Sequence, residues 1–342
     1  MVSAVIAGTA CAFPRQLDQD TLWSEFFSPR LGGSPVAERL FRAAGVRTRH
    51  AVVDPLTEDV STWSTGTRMR RYADEAMPLA KEAVSAALAD AGMSASDLGL
   101  FTVVSCTGYS TPGVDIRLAA DLGMSVDVQR LMVGHMGCYA ALPALGAASD
   151  FVVARGLPAA VLCLELTSLH AQPVTGDLSE VVTHALFADA AAAVVLRPAE
   201  SGLGVRAVAA RTDASSADHM RWDVTDLGFR MDLSPEVPGV LARHVRPAVS
   251  DLLERHGLRI EDVGAWVVHP GGPRILDTAR EALGLALEDL AASRAVLRDR
   301  GNCSSATVLL ILDSLRRDGL DGRPVVMMAF GPGLTLYAAL LS

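Results

Sequence analysis

Three side chains in this sequence together supply what carbonyl activation needs: a thiol, an imidazole and a carboxamide. Cys138, in RLMVGHMGCYAALPAL, falls where a buried segment hands over to an alanine-rich helix that ends near Gly156. A thiol beside a helix N-terminus feels the partial positive charge there, which lowers its pKa from about 8.5 toward neutrality and favours the nucleophilic thiolate. His269 ends the apolar run AWVV and precedes PGG. That sets its ring at a strand end, where open α/β sheets place ligands, and the glycines allow backbone or ligand to approach closely. Asn302, in RGNCSSATVLL, stands just ahead of a long apolar helix. Its amide can cap that helix or offer a donor to a developing oxyanion, and the sequence leaves both roles open.

Each type also has a plain structural use. Free Cys is among the most buried residue types, and Cys163 in VLCLEL reads as a core thiol of that kind. The five cysteines, Cys11, Cys106, Cys138, Cys163 and Cys303, are odd in number and contain no C-x-x-C pair. This argues against a disulfide framework and against a zinc cluster, and points to a reducing compartment. No H-E-x-x-H metal motif is present, and GLGVRA around Gly202 lacks the strand, helix and acidic residue of a dinucleotide fingerprint.

The net charge of −9 over 342 residues, with positive charge in scattered arginines, disfavours nucleic acid as a partner. Lys81 is the single lysine, so a Schiff-base mechanism has one candidate. The opening MVSAVIAGTACAF has no basic leader region, and no apolar stretch approaches the roughly 18 residues of a membrane span. The expected location is the cytoplasm, with no membrane partner.

The elements that must position these residues alternate. After an apolar opening strand, residues 68–92 repeat Ala, Leu and Met at helical spacing and stop at Gly92. LGLFTVVSC reads as a strand covered on both faces, followed by the turn-like TGYSTPG; AAVLCLEL and ALFADAAAAVVLRP give two more buried strands. After an irregular Asp-, Ser- and Gly-rich stretch the pattern resumes. LARHVRPAVSDLLERHG, ILDTAREALG and ATVLLILDSLRRDG read as helices, and GAWVVHP, PVVMMAF and LTLYAALL as strands. This is an α/β chain, with a boundary near residue 205 dividing 1–205, which carries Cys138, from 206–342, which carries His269 and Asn302.

Taken together, MGCYAALPAL, FADAAAAVV, VVHPGGPRIL, RGNCSSA and FGPGLT occur in the order and approximate spacing of the type III polyketide synthases, the chalcone-synthase-like members of the thiolase superfamily. The resemblance spans most of the chain, and the HPGGP-x-IL and GN-x-SSA segments are specific to that family. It implies a duplicated five-layered αβαβα thiolase fold, a homodimer, and a Cys-His-Asn triad on Cys138, His269 and Asn302. The substrates it implies are coenzyme A thioesters, with no separate cofactor. The cysteine takes a starter acyl group, His and Asn polarise the malonyl thioester as carbon dioxide departs, and His269 holds Cys138 as an ion pair. Repeated condensation then ends in ring closure to a pyrone, resorcinol or other phenolic product.

The resemblance also marks a pocket. Phe187 matches a gatekeeper phenylalanine, and Met231 replaces the second one. Cys106 and Thr107 occupy a Thr-Ser pair, with Cys106 resembling bacterial members. Thr167, His170 and Ser304 fall at cavity positions, His170 either narrowing the pocket or acting in cyclisation. Thr111 precedes Pro112, where the family often has a cis proline and a residue that crosses into the partner's cavity. Arg39, Arg42, Gly271 and Arg274 are the candidates for binding coenzyme A. Two rival readings share the fold: a ketoacyl synthase III-like enzyme that condenses once on an acyl carrier protein, and a noncatalytic thiolase-fold partner. A cysteine hydrolase is a third.

Overall fold

The computed structural model describes residues 2–342. The chain opens with β1 (Ser3–Ala12), and the short strands β2 (Arg15–Asp18) and β3 (Thr48–Ala51) pair with each other. β4 (Leu100–Ser105), β5 (Gln129–Gly134), β6 (Ala159–Glu165) and β7 (Ala190–Ala199) join β1 in a first sheet of order β1-β7-β6-β4-β5. β8 (Val205–Thr212) starts a second sheet, and β9 (Met220–Thr225) with β10 (Gly228–Leu233) forms a separate hairpin. β11 (Ala265–Val268), β12 (Val325–Gly331) and β13 (Thr335–Leu341) complete the second sheet in the order β11-β12-β13-β8.

The two sheets repeat one plan. β1 and β8 run antiparallel to β7 and β13, these run antiparallel to β6 and β12, and these lie parallel to β4 and β11. Only β5 has no counterpart. The helices Ala141–Arg155 and Thr307–Asp318 lie between the sheets and touch strands of both. Thr65–Ala91 covers the outer face of the first sheet, while Val237–Glu254, with Pro273–Leu283 packed on it, covers the second. The layers are therefore helix, sheet, helix, sheet, helix, the duplicated αβαβα arrangement of the thiolase fold.

Composition explains the layering. β4, β6 and β12 are buried along their whole length, as strands covered on both faces must be. The central helix Ala141–Arg155 is apolar on nearly every side because both sheets face it; Leu142 and Leu145 are fully buried, and cutting either to Ala costs about 2–5 kcal/mol. This corrects one expectation. The stretch Gly137–Arg155 is long and apolar enough by composition to cross a membrane, and 61% of its apolar window is buried inside the protein. Its hydropathy is that of a core helix.

Two further readings need correction. The segment leading into Cys138 was expected to be buried, yet β5 is an edge strand, paired only with β4 and largely exposed. The stretch after β7 was expected to be irregular and instead holds β8 and the β9–β10 hairpin, whose register runs unbroken from Met220↔Leu233 to Thr225↔Gly228. The helices Pro35–Ala43, Leu178–Leu186 and Ala291–Arg300 also went unread.

Candidate active site

Cys138 lies in a short 3₁₀ turn, Gly137–Tyr139, ahead of the central helix. Gly137 has φ +77°, and a Cβ there would stand 2.7 Å from Pro332 Cδ in the Gly331-Pro332-Gly333 loop. Only glycine meets both demands, the left-handed backbone and the close approach. The thiol is buried, and burial pushes its pKa up to about 12 against the lowering contact of the Ser304 hydroxyl. Burial acts on this thiol in the direction opposite to the lowering expected beside a helix end.

His269 follows β11, its backbone N–H donating to Met328 O at 2.8 Å. The ring is buried, and neither Nδ1 nor Nε2 has a hydrogen-bond partner among the described residues. Burial lowers its pKa to about 3, so the imidazole is neutral. Burial acts against the charged form of each of these two groups taken singly. An orphaned buried nitrogen costs about 1–3 kcal/mol. Both nitrogens of this ring are therefore open to bonding by a group from outside the chain, solvent or ligand.

Asn302 is held on both sides of its backbone: its N–H donates to Leu186 O at 2.8 Å, and its carbonyl accepts from Ala188 N at 2.9 Å. Its Oδ1 accepts the Ser304 N–H at 2.9 Å. A backbone N–H can only donate, so this bond fixes the amide orientation and leaves the NH₂ for the cavity. The expected N-cap role is not the one observed: the helix begins at Thr307, and Asn302 instead closes a tight turn onto Ser304, whose φ is +49°.

These three side chains line one cavity of about 510 Å³, together with Phe187, Gly271 and Arg274. Arg274 is exposed in the first turn of the helix Pro273–Leu283, and Arg39 is exposed on the helix Pro35–Ala43, whose Leu40 and Ala43 line the same cavity. Arg42 is different. Its guanidinium is taken by Glu38 and Asp20, both at 2.9 Å, so it is poorly placed to grip a phosphate as well. Among the described residues no cluster of three His, Cys, Asp or Glu side chains is set to hold a metal ion.

A second layer of polar groups stands behind Cys138. Glu165, fully buried at the end of β6, accepts from Cys106 N (3.1 Å), Cys106 Sγ (3.3 Å), Thr107 Oγ1 (2.7 Å) and Ser305 Oγ (2.5 Å). Burial still raises its pKa above the usual carboxylate value. Cys106 also touches Ser304 Oγ at 3.3 Å, and burial together with Glu165 holds it well above the ordinary thiol range. Cys106 is thus a thiol of the buried Glu165 cluster, and neither it nor Thr107 lines the reactive cavity or the two spaces beside it. Glu165 went unnoticed in the sequence, although a lone carboxylate ending the apolar run VLCLEL was a usable signal.

The remaining pocket candidates divide. Phe187 and Met231 border the space at Cys138, joined by Trp222, which sequence reading missed. Thr167 donates to Ala188 O at 3.0 Å and faces a neighbouring cavity. His170 stacks on Phe229, its ring centroid 4.4 Å away, accepts the Phe229 N–H at Nδ1 and reaches Thr107 O with Nε2 at 2.6 Å. Both nitrogens are occupied and burial lowers its pKa to about 4. It is a fixed wall, with neither nitrogen free for cyclisation chemistry. Thr111 is exposed and lies outside the cavities of its own chain; the Thr111–Pro112 peptide is cis.

Comparison with known proteins identifies the family. Residues 37–199 match the N-terminal domain of the chalcone and stilbene synthases, and residues 208–342 match the C-terminal domain. The chain is 32% identical to the alpha-pyrone synthesis polyketide synthase-like Pks18 of Mycobacterium tuberculosis, over 98% of this chain and 90% of that protein. It is 36% identical to 1,3,6,8-tetrahydroxynaphthalene synthase of Streptomyces peucetius, over 89% of this chain and 82% of that one. Among solved structures, PKS-I of the brown alga Ectocarpus siliculosus superposes with TM-score 0.94 at 30% identity, covering 100% of this chain and 98% of that one. The tetrahydroxynaphthalene synthase of Streptomyces coelicolor superposes with TM-score 0.93 at 29% identity, covering 98% of each. With both domain models matched along the chain and a fold shared over its whole length, this protein belongs to the chalcone and stilbene synthase family and is a type III polyketide synthase.

Proposed function

We propose that Cys138 carries the acyl chain in an iterative, decarboxylative condensation of malonyl-CoA onto an acyl-CoA starter, followed by ring closure. The observation that carries this assignment of residues is the shared cavity: a buried thiol, an imidazole with no partner, and an amide NH₂ whose oxygen is already engaged. In this reading neutral His269 takes the Cys138 proton as the starter binds. The thiolate attacks the thioester carbonyl, and coenzyme A leaves as its thiol. Malonyl-CoA then loses carbon dioxide; the electrons of the broken C–C bond form an enolate whose oxygen accepts hydrogen bonds from His269 and the Asn302 NH₂. The enolate carbon attacks the Cys138 thioester, a C–C bond forms, and the thiolate is released for the next round.

The thioesters would enter between Leu40, Ala43 and Arg274, with Arg39 and Arg274 facing the coenzyme A phosphates and the Gly271 backbone leaving room for the pantetheine arm. Two features support a homodimer: the open edge of β5 with its exposed Leu131 and Met132, and Tyr109, 65% exposed beside Thr111. A partner pairing there would bring Thr111 toward the second copy's cavity. The expected compartment is the cytoplasm. The single-condensation alternative is not favoured by this family membership. The decisive experiment is intact-protein mass spectrometry after incubation with acyl-CoA: the native enzyme should gain one acyl mass and Cys138→Ala none. Product formation by Cys138→Ala at the native rate would overturn the proposal.

A further inference from the structure

Two helices end beside the reactive cavity, and one short strand caps both. Leu178–Leu186 runs directly into Phe187, and Ala291–Arg300 runs through Gly301 into Asn302; both Phe187 and Asn302 line the cavity. A helix end leaves its last carbonyls without intrahelical partners. At the first helix, His184 O and Ala185 O accept from the Arg49 guanidinium, which also reaches Phe187 O at 3.0 Å. At the second, Arg298 O accepts the Arg47 N–H at 2.6 Å and Asp299 O accepts the Thr48 hydroxyl at 2.9 Å. Thr48 and Arg49 are neighbours in β3, and side chains of successive strand residues point to opposite sides, so one strand serves two helices.

Between these caps the two chain segments are joined to each other. The Asn302 main chain is bonded to Leu186 O and Ala188 N, on either side of Phe187. Gly301, with φ +75°, permits this approach: a Cβ there would stand 2.9 Å from Leu186 O. The place of the Asn302 amide is therefore set by the main chain of residues 186–188, and Arg49 holds that main chain from behind. Arg49 is buried and is itself fixed by Gln19, whose Oε1 accepts from Nε at 2.9 Å while its Nε2 donates to Ala185 O at 3.0 Å. Burial lowers the pKa of Arg49 to about 10, which leaves it charged near neutral pH and favoured at the negative end of the helix dipole. A planar fork of five donors spans the helix end and Phe187 O together; an ammonium on a flexible stem is a point charge and does not. Arg49 lines the neighbouring cavity and not the reactive one, so its influence on the reaction passes through the residues it braces.

We infer that Arg49 is a positioning residue for decarboxylation: by bracing the end of the helix Leu178–Leu186 it fixes the main chain of residues 186–188, and with it the direction of the Asn302 NH₂. The inference rests on the reading that this NH₂ stabilises the enolate. Thr48 braces the same joint from the side of the second helix, through Asp299 O.

The test is a double-mutant cycle of Arg49→Lys with Asn302→Ala, read as kcat and KM for release of carbon dioxide from malonyl-CoA, a reaction that needs no starter. Lys keeps the charge and loses the fork. Arg49→Lys should lower kcat about tenfold or more with KM within about threefold of native, since a small misplacement of a group in the site is costly. In the Asn302→Ala background the same substitution should cost less than about twofold, because the amide it positions is gone. A residue that only stabilised the fold would cost the same in both backgrounds. Thr48→Val removes the hydroxyl bond to Asp299 O alone and decides the matter if Arg49→Lys does not fold, as judged by melting temperature. It should lower kcat about threefold or more and lose its effect in the Asn302→Ala background. Equal losses in the two backgrounds, or a native kcat in the folded variant, overturn the positioning role while leaving the Asn302 assignment standing. Release of carbon dioxide by Asn302→Ala at the native rate removes the underlying reading and this inference with it.

Discussion

Asn302→Ala separates what this residue does for the fold from what it does for the chemistry. The side chain makes one structural bond, accepting the Ser304 N–H at 2.9 Å, and offers its NH₂ to the cavity. Removing the acceptor strands a buried backbone N–H, which costs about 1–3 kcal/mol of stability. For a chain of this size that is a fall of a few degrees in melting temperature. Removing the NH₂ takes away one donor from a developing oxyanion, typically about 10²–10³ in rate. The two effects are read separately if the rate is measured well below the melting temperature, where nearly all the enzyme is folded.

The assay is release of carbon dioxide from malonyl-CoA alongside acylation of Cys138 by a starter thioester. The enolate forms only in the first reaction, so decarboxylation should fall by two to three orders of magnitude and acylation by less than tenfold. If decarboxylation stays within threefold of the native rate, Asn302 makes no bond to the enolate. If decarboxylation and acylation fall together, in step with a large loss of stability, the residue is a structural tie for the Ser304 turn and the mechanistic assignment fails.

Other expectations follow from the same geometry. Arg274→Ala should raise KM for coenzyme A thioesters severalfold in steady-state kinetics, whereas Arg42→Ala should change it little because Glu38 and Asp20 already occupy that guanidinium. Trp222→Ala joins the space at Cys138 to the neighbouring cavity, and mass spectra of the products should shift toward longer chains; unchanged products would show the wall to be irrelevant. Burial lowers the pKa values of His170 and His184 to about 4 and of His269 to about 3. The unfolded chain then binds more protons from near pH 6.5 downward, so stability is full above pH 6.5 and falls toward pH 4. Urea titrations at pH 7.5 and 5 should show the loss, and His170→Gln, which keeps an acceptor and a donor without titrating in this range, should reduce it. Glu165 acts in the opposite sense, its raised pKa eroding stability as pH climbs through it.

The layers were legible because burial leaves a strong mark on composition. Strands such as VVMMAF and AAAAVV admit no polar residue when both faces are covered, and the glycines at 92 and 156 close their helices in the left-handed conformation. The hairpin that carries Met231 and Trp222 was harder to see. Its strands pair only with each other and stay half exposed, so MRWDVT and GFRMDL never acquire a long apolar run. Electrostatics was the least legible. The position of Cys138 at the head of a helix argued for a low pKa, and only the packing reveals how fully the thiol is buried, which acts in the other direction. The same holds for Arg42, a tunnel candidate until Asp20, twenty-two positions away in sequence, is seen against it.

The duplication explains why the site is scattered along the sequence yet compact in space. Cys138 precedes the helix Ala141–Arg155, and Asn302 precedes the helix Thr307–Asp318. These two helices occupy equivalent places between the sheets, each running into the strand that lies third from the β1 or β8 edge of its sheet, β6 or β12. The turns at their N-termini therefore meet across the middle layer, and the 3₁₀ segments Gly137–Tyr139 and Ser304–Ala306 touch. His269 joins them from the end of β11, the counterpart of β4, whose own C-terminal end leads into Cys106 and Thr107. One repeated unit thus supplies the proposed nucleophile with its thiol neighbour, and the other supplies the imidazole and the amide of the proposed triad. Neither half contains a complete set. On the proposed assignment, a chain that lost the docking of its two sheets should lose the reaction before it lost either sheet, because the proposed site lies at the contact between the halves.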